Sequence, residues 1–512
     1  MTLRITGHGG VGEIGGNCFE VEAGGRRVLL DFGVSFKRYG DAFAEFLKPR
    51  KVAGIGDWLL AGVAPDLPGI YRQDYRGRTG ARPEDRGVDA VLISHPHMDH
   101  IGLVPLLRPD IPVVTSATAY GVAKAVEETG GSFDEQDFTT FTERFRFREN
   151  RQGGLSKETR ATAEAVERPW HRTDRLDLDG LTAHLLPVDH SIHGARGILL
   201  EGEAHVAYSG DLRLHGRNRH WTEKWVERCG GVDVLLVEGT NVSAPEAGRK
   251  PRVDDGLGLI EEFRSLGDMS ETGVESYIAE GVDDEDGYVF VAYPQRDLDR
   301  LESFVVAARK AGRRLCLTPK QAYLLETLHG VGEQGLDTEI PGLGDPDVRI
   351  YLPRKGWGLI EREDLRADHP ALVRAEYAKW EHRYLDHPAT VTRQDIREDP
   401  GRYMVFADMW NLTELHEFEP RGGTYVHSKT EPFNEEMVQD RRRLLWWLRR
   451  WGLKTVAAHV SGHAPLDELL WMADQTGARR VVPIHTEDPG YYAKRLGPRA
   501  VTPRAGAPLD LG

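Results

Sequence analysis

Four residues with metal-ligating side chains lie within six consecutive positions: His95, His97, Asp99 and His100. Residues 89–93, directly before them, are short and apolar, which predicts a buried strand, and residues 101–107 predict the start of a helix. Imidazole nitrogens and carboxylate oxygens at this density are typical of a site for a borderline metal such as zinc. Histidines crowded into a solvated loop would instead repel each other when protonated, near a pKa of about 6.5. We therefore expect a metal site on a strand-to-helix loop.

The same arrangement recurs along the chain, because further apolar runs each end at an acidic or histidine residue. Residues 27–30 end at Asp31, 183–188 at His190, 204–208 at Asp211, 232–237 at Glu238 and 480–484 at His485. Strands that each present one polar side chain at the same edge of a sheet build a convergent site. An acid such as Asp31 can also hydrogen-bond a ligand loop and orient it.

These residues predict two metal sites that share one carboxylate. In the first, His95 and His97 are joined by His190; in the second, Asp99 and His100 are joined by His485; Asp211 bridges the two. Each metal keeps room for water, as catalytic zinc requires. Two ions roughly 3.5–4 Å apart lower the pKa of water and neutralise developing charge.

A second constellation lies at residues 459–463, between a predicted strand at 454–458 and a helix that begins near Pro465. Its members are His459, Ser461, Gly462 and His463. Backbone N–H groups at a helix start favour anions, so the loop suits a phosphate group, and His463 could protonate a leaving oxygen. The alternative is a capping serine flanked by two structural histidines.

Composition narrows the class of protein. The chain has 512 residues, 66 Lys+Arg against 81 Asp+Glu, and a net charge of −15, which does not favour nonspecific nucleic-acid binding. Three scattered cysteines argue against disulfides and thiolate zinc sites. No signal region and no membrane-spanning apolar run are present, so we expect a cytoplasmic protein without a membrane partner.

The length and the order of predicted elements indicate an α/β protein with more than one domain. Alternating strands and helices from residue 288 onward predict a second α/β domain that interrupts the first. The predicted division is 1–244 for the first part of the metal-site domain, 245–453 for the inserted domain and 454–512 for the returning part. Residues 35–87 are interpreted as loops and short helices that could cover the site, and residues 133–175 as an insertion.

The set Asp31, 95–100, His190 and Asp211 resembles the motif series of the metallo-β-lactamase superfamily. Glu238, His463 and His485 resemble the added motifs of its β-CASP branch, and residues 7–17, 189–194 and 459–464 resemble ribonuclease J. This resemblance implies an αββα sandwich with an inserted β-CASP α/β domain. It also implies two Zn²⁺ ions, with Mn²⁺ as an alternative, and catalytic roles for Asp31, Asp99, Glu238 and His463.

The resemblance further implies a substrate. A histidine at the last motif, His485 here, accompanies RNA substrates in this branch. The implied activity is hydrolysis of single-stranded RNA by a 5′-to-3′ exonuclease that also has endonuclease activity and prefers a 5′-monophosphate. His459, Ser461, Gly462 and His463 would contact the substrate phosphate.

Three other functions stay open on the sequence alone: a DNA nuclease on the same scaffold, a small-molecule metallo-hydrolase, and an inactive binding scaffold. A homodimer is an open partner assignment. Basic residues that could offset the acidic charge along a nucleic-acid path are Arg296, Arg300, Lys310, Arg313, Arg314, Arg441, Arg442, Arg443, Arg449 and Arg450. The alternative for each basic cluster is a solvated helix face.

Overall fold

The protein is described from a computed structural model that covers residues 3–44, 46–72, 75, 85–130, 141–143, 145–149, 151–152, 155–159, 166–167, 169–242, 270–282, 287–331, 339–363, 369–430, 432 and 435–511. Within these ranges the chain forms three large sheets and two short strand pairs. The short pairs join Thr142–Glu143 to Val166–Glu167 and Phe145–Glu149 to Leu155–Thr159.

The first sheet is mixed and contains seven strands. From one edge to the other it runs Trp170–Arg172, Val113–Thr115, Ala90–Leu92, Arg26–Leu30, Cys18–Ala23, Arg4–Gly9 and Pro508–Asp510. Its central strands Val113–Thr115 and Ala90–Leu92 are buried throughout, as expected for a sheet that is covered on both sides. In Arg26–Leu30, for example, Val28 and Leu30 face one core cluster while Leu29 faces another.

The second sheet has six strands, in the order Arg175–Leu178, Leu181–Pro187, Arg196–Glu201, Val206–Tyr208, Val234–Val237 and Arg480–Pro483. It packs face to face on the first sheet. Phe19, Val28 and Leu92 of the first sheet share one buried cluster with Ile198 and Leu236 of the second. This shared core makes the two sheets a sandwich.

Helices cover the outer face of each sheet. The first sheet is covered by Phe36–Ala42, Gly56–Leu60, Met98–Ile101 and Ala117–Glu128, with short 3₁₀ turns at Lys51–Ala53 and Val104–Leu106. The second is covered by Arg219–Arg228, Leu466–Gln475 and Pro489–Leu496, followed by a 3₁₀ turn at Gly497–Arg499. The αββα sandwich expected from the resemblance is therefore confirmed.

The described part of segment 35–87 supplies core residues. Ile55, Trp58 and Tyr71 are buried in the cluster behind the first sheet, together with Val91 and Ile101. These residues pack behind the first sheet, while the interpretation of the segment as a cover over the site stays a prediction. Its many glycines and prolines obscured the apolar residues in the sequence pattern.

The third sheet is the centre of the inserted α/β unit, and all seven of its strands are parallel. Their order is Thr390–Val391, Val348–Tyr351, Arg314–Leu317, Tyr403–Phe406, Val289–Ala292, Thr424–His427 and Lys454–Ala457. One face is covered by Glu271–Val282, Leu298–Lys310 and Pro319–Val331, and the other by Arg393–Glu398, Leu415–Phe418, Glu435–Arg450 and a 3₁₀ turn at Met409–Glu414. The remaining described elements are Pro370–Ala375 and 3₁₀ turns at Leu359–Glu361, Lys379–Tyr384 and Pro400–Arg402.

Strand Lys454–Ala457 pairs with Thr424–His427, so the inserted sheet extends past the predicted division at residue 453. The chain returns to the sandwich in Arg480–Pro483, which pairs with Val234–Val237, and in Pro508–Asp510, which pairs with Arg4–Gly9. The other domain limits stay predictions.

The inserted unit packs directly on the sandwich. Val122 and Ala125 of helix Ala117–Glu128 belong to the same buried cluster as Leu325 and Leu328 of the inserted unit. A Cβ atom added at Gly121 would lie 3.0 Å from the Leu328 side chain, so the two helices approach closely where glycine permits it. Among the described residues, no helix is long and apolar enough to cross a membrane.

Candidate metal centre

Four loops bring the predicted ligands together, and each loop follows a strand of the sandwich. The 95–100 cluster follows Ala90–Leu92, and His97 immediately precedes the short helix Met98–Ile101. His190, Asp211 and His485 follow strands Leu181–Pro187, Val206–Tyr208 and Arg480–Pro483. The strand ends converge as predicted from the sequence, but they come from both sheets of the sandwich rather than from one.

The first group consists of His95, His97, His190 and Asp211, whose ligand atoms all lie within 4.8 Å of one another. His95 Nε2 lies 3.0 Å from His97 Nδ1, and His190 Nε2 lies 3.3 Å from the same atom. His190 Nδ1 donates to the carbonyl oxygen of Gly462 at 2.6 Å, which leaves its Nε2 lone pair facing the group. Converging lone pairs are the arrangement that a bound cation satisfies.

The second group consists of Asp99, His100 and His485. Asp211 lies between the two groups and offers one oxygen to each histidine of the second: Oδ2 is 3.2 Å from His100 Nε2, and Oδ1 is 3.0 Å from His485 Nδ1. Oδ2 is also 3.6 Å from His95 Nε2 in the first group. This position suits a carboxylate shared between two cations.

Asp31 lies behind the candidate ligands and contacts one of them directly. It is fully buried and accepts hydrogen bonds from His100 Nδ1, from Ser94 N and from Ser94 Oγ, each at 2.7 Å, and from Tyr208 at 2.5 Å. Because Ser94 Oγ donates to Asp31, it accepts from His95 Nδ1 at 3.0 Å. Asp31 thus sets the orientation of two ligand rings, as the carboxylates behind metal-bound histidines do.

Two of these loop residues adopt an uncommon backbone conformation. Asp31 has φ 60° and His485 has φ 50°, both in the left-handed region that non-glycine residues rarely adopt. Backbone strain of this kind concentrates at functional sites, where the surrounding structure enforces it.

Burial and charge set the protonation of the histidines. Burial lowers the pKa of His95, His97 and His190 well below the usual value, so these rings are neutral and able to ligate. Burial opposes the charged form of His100 as well, but Asp211, Asp31 and Asp99 together raise its pKa well above the usual value. That surplus of carboxylates attracts a cation, and a bound metal would displace the proton.

The 459–463 loop closes over the first group. His463 Nδ1 lies 3.1 Å from Glu238 Oε2, and His463 lies 3.9 Å from Asp211 Oδ2, so Asp211, Glu238 and His463 form a third potential ligand group. Burial opposes protonation of His463, but Glu238 and then Asp211 raise its pKa to about 9. Ser461 Oγ accepts from Asn241 Nδ2 at 3.0 Å, which fixes the loop against the sandwich.

Residue His459, which the sequence assigned to substrate phosphate, lies beside a buried arginine. Its Nδ1 is 3.2 Å from Arg300 Nη1, and burial followed by the charge of Arg300 lowers its pKa to about 3. Phosphate contact by His459, Ser461, Gly462 and His463 stays a prediction.

A buried ionic network behind the site joins the sandwich to the inserted unit. Arg213 donates to Asp189 Oδ1 at 3.0 Å and to Asp299 Oδ2 at 2.7 Å. Arg300 donates to Glu271 at 2.6 Å and 3.0 Å. Since Asp189 precedes His190 and Asp299 lies on helix Leu298–Lys310, the network fixes the inserted unit relative to a candidate ligand.

Several of these residues have no local sequence signal. Asn17 is buried with Nδ2 at 3.0 Å from His100 Nε2 and 2.8 Å from His485 Nδ1. Ser94 and Arg213 also act through partners that are remote in sequence. Among the basic residues considered for nucleic acid, Arg300 and Arg313 are buried, and Arg313 donates to backbone carbonyls such as Tyr403 O at 3.0 Å.

Comparisons with known proteins find similar sequences along most of the chain. The family model described as a beta-lactamase superfamily domain matches residues 65–257. Ribonuclease J of Mycolicibacterium smegmatis is 24% identical over 499 residues, which span 94% of this chain and 68% of that protein. Ribonuclease J of Pyrococcus abyssi is 23% identical over 502 residues, or 95% of this chain and 90% of that one.

A crystal structure of a protein of unknown function from Enterococcus faecalis V583 is similar over 100% of both chains, with a TM-score of 0.70 and 22% identity. This likeness supports the fold alone. The sequence matches and the sandwich lead to one conclusion: the chain contains a metallo-β-lactamase superfamily domain and is similar along most of its length to ribonuclease J proteins.

Proposed function

We propose that this protein is a metal-dependent ribonuclease that hydrolyses phosphodiester bonds in single-stranded RNA within the cytoplasm. The proposal includes 5′-to-3′ exonuclease action from a 5′-monophosphate end, with endonuclease activity. The observation that carries it is the position of Asp211, which touches both histidine groups and lies 3.9 Å from His463. The named relatives supply the substrate class.

Two Zn²⁺ ions, or Mn²⁺ in their place, are the proposed cofactors. The donors fit, because the nitrogens of neutral imidazole rings and carboxylate oxygens are ligands that both ions accept. His95, His97, His190 and Asp211 would hold the first ion, and Asp99, His100, His485 and Asp211 the second. When bound, such a pair makes water nucleophilic near neutral pH and neutralises phosphate charge.

The chain's own residues then position the substrate and move protons. His463 carries a proton at neutral pH because Glu238 and Asp211 raise its pKa to about 9. It can therefore donate a proton to the leaving 3′-oxygen of the substrate. Glu238 orients the imidazole and also accepts from Leu212 N at 2.9 Å, which ties it to the loop after Asp211. Ser461 and Gly462 lie next to His463 and would contact the phosphate.

The test is an assay of cleavage on matched 5′-monophosphorylated RNA and DNA oligonucleotides with added Zn²⁺ or Mn²⁺. We expect metal-dependent release of nucleoside 5′-monophosphates from RNA. His97→Ala should lower the rate by about 1,000-fold, because a metal site supplies several kcal/mol of transition-state stabilisation. His220→Ala, at an exposed helix position, is the matched control and should match the wild-type rate.

Three results would contradict the proposal. Absence of cleavage on either substrate would exclude a nuclease, and equal rates for His97→Ala and wild type would remove the metal centre from the reaction. Cleavage of DNA without cleavage of RNA would assign the chain to DNA instead. A matched RNA with a 5′-triphosphate tests the end preference, since the proposal expects slower hydrolysis of that end.

A further inference from the structure

The carboxyl ends of the inserted parallel strands all lie at one edge of the sheet, and that edge adjoins the metal centre. Strand Lys454–Ala457 leads into the 459–463 loop, where Gly462 O accepts from His190. Strand Val289–Ala292 leads into helix Leu298–Lys310, where Asp299 is bound to Arg213 at 2.7 Å. In open parallel sheets, ligands bind outside the carboxyl ends of the strands.

Arg296 lies on this edge, in the turn between strand Val289–Ala292 and helix Leu298–Lys310. Its side chain is partly buried. Its positive charge helps to lower the pKa of His97, and the negative charge of Asp99 favours the charged form of Arg296. Among the described residues, no carboxylate lies within salt-bridge distance of its guanidinium, unlike Arg213 and Arg300 nearby. A guanidinium near the candidate metal centre that forms no salt bridge with a carboxylate is suited to a phosphate group.

Trp410 lies on the same edge, one strand further from the metal centre. It follows strand Tyr403–Phe406, which neighbours Val289–Ala292, and its side chain is 90% exposed. The loop beneath it is fixed, because Asp408 accepts from Trp410 N at 3.0 Å and from Lys429 Nζ at 2.9 Å. An exposed indole on a fixed loop is a platform on which a nucleic-acid base can stack.

The order of strands gives the spacing of these groups. From strand Lys454–Ala457 to strand Tyr403–Phe406 there are three neighbouring steps, through Thr424–His427 and Val289–Ala292. At about 4.8 Å per step, the edge spans roughly 14 Å from strand Lys454–Ala457, which precedes the 459–463 loop, to strand Tyr403–Phe406, which precedes Trp410. This length suits a short single-stranded segment that places one phosphate on Arg296 and a neighbouring base on Trp410.

We propose that this edge is a binding surface for single-stranded RNA, in which Arg296 binds a phosphate next to the scissile bond and Trp410 stacks on a base further along. The inference rests on the proposed ribonuclease function. Single-stranded RNA fits better than a protein partner, because a cation and an aromatic ring in series are what bind a backbone phosphate and a base together. The overall charge of −15 also makes a local cationic contact necessary for RNA.

The test compares variants on 5′-monophosphorylated RNA of 2, 4, 8 and 12 nucleotides. Trp410→Ala should raise KM about 10-fold for the longer oligonucleotides and leave kcat and the dinucleotide reaction unchanged, since stacking acts away from the reacting bond. Arg296→Gln should raise KM about 10-fold or more at every length, and Arg296→Lys should recover part of the loss.

Matched controls come from helices of the inserted unit, at positions away from the carboxyl ends of its strands. Trp446→Ala removes a 61% exposed tryptophan late in helix Glu435–Arg450, and Arg309→Gln removes a cation near the end of helix Leu298–Lys310. Both should match wild type at every length. Kinetics of Trp410→Ala or Arg296→Gln that equal these controls would overturn the surface.

A binding titration separates failure of the surface from failure of the proposed function. Fluorescence anisotropy of a labelled 12-nucleotide RNA should show about 10-fold weaker binding to Trp410→Ala than to wild type. Wild-type protein that binds this RNA without cutting it would overturn the ribonuclease while the same titration still tests the surface. A change in oligomeric mass for Trp410→Ala with unchanged RNA affinity would assign the tryptophan to contacts between copies and overturn the proposal.

Discussion

Replacing Arg213 by methionine should destabilise the protein by about 3–5 kcal/mol, the cost of breaking a buried ion pair from one side. The guanidinium is fully buried and contacts Asp189 at 3.0 Å, Asp299 at 2.7 Å and Glu271 at 3.6 Å. Methionine has a similar length and no charge, so the variant leaves three carboxylates buried near one another. Glu271 keeps its partner Arg300 at 2.6 Å, which is why we expect the cost of one broken pair rather than three.

The assay is urea denaturation followed by tryptophan fluorescence, with Arg219→Met as the matched control. Arg219 forms an exposed pair with Glu223 at 2.8 Å, and such pairs contribute less than about 1 kcal/mol. The double variant Arg213→Met with Asp299→Asn should lose less than the sum of the single losses, with a coupling of about 0.5–3 kcal/mol. A loss for Arg213→Met no larger than that for Arg219→Met would refute the argument that this network joins the two units.

Three further substitutions test other parts of the structure. Asp31→Asn should lower zinc affinity about 10- to 100-fold in a chelator competition while the far-UV circular dichroism stays unchanged. The amide has one accepting oxygen instead of two, so it cannot accept from both Ser94 and His100 as the carboxylate does. Unchanged affinity would contradict the orienting role. Burial opposes ionisation of Glu271, but Arg300 and Arg213 lower its pKa to about 2, so its contribution is present above the unfolded value of 4.5 and is lost as the pH falls towards 2. The urea midpoint of wild type should therefore fall more steeply between pH 5 and pH 3.5 than that of Glu271→Gln, and parallel slopes would count against the shift. Burial and then Glu271 raise the pKa of Asp297 to about 7, so its contribution is present below the unfolded value of 3.8 and is lost as the pH rises through 7. Asp297→Asn should gain stability relative to wild type between pH 5 and pH 8, and a difference that does not change with pH would show the carboxyl to be unperturbed.

The metal centre could be anticipated from the sequence because its residues follow apolar runs. The runs before Asp31, Asp211 and Glu238 are short and β-branched or leucine-rich, and the structure forms strands at Arg26–Leu30, Val206–Tyr208 and Val234–Val237. These strands belong to both sheets, and their ends converge at one edge of the sandwich. The geometry also agrees with the predicted grouping of ligands around Asp211, while their roles as ligands stay predictions.

The residues behind the ligands could not be anticipated, since their function depends on contacts across long sequence separations. Asn17 reaches His485 from 468 positions away, and Arg213 reaches Asp299 from 86 positions away. A lone asparagine or arginine carries no periodic signal that marks such a partner. The sequence allows Arg300 to lie along a nucleic-acid path, but in the structure Arg300 forms a buried ion pair with Glu271.

The end of the inserted unit could not be predicted accurately for a related reason. Lys454–Ala457 reads as a strand in isolation, and only its pairing with Thr424–His427 shows which sheet it joins. Segment 35–87 has the same ambiguity, because Trp58 and Tyr71 are separated by glycine and proline and show no helical or strand period. Tertiary packing, rather than local pattern, places these residues.

Anomalous diffraction at the zinc absorption edge from crystals of the zinc-loaded protein tests the central claim most directly. We predict two peaks roughly 3.5–4 Å apart on either side of Asp211. The first should be bound by His95, His97 and His190, and the second by Asp99, His100 and His485. The absence of both peaks from this cluster, or zinc bound without Asp211, would contradict the account.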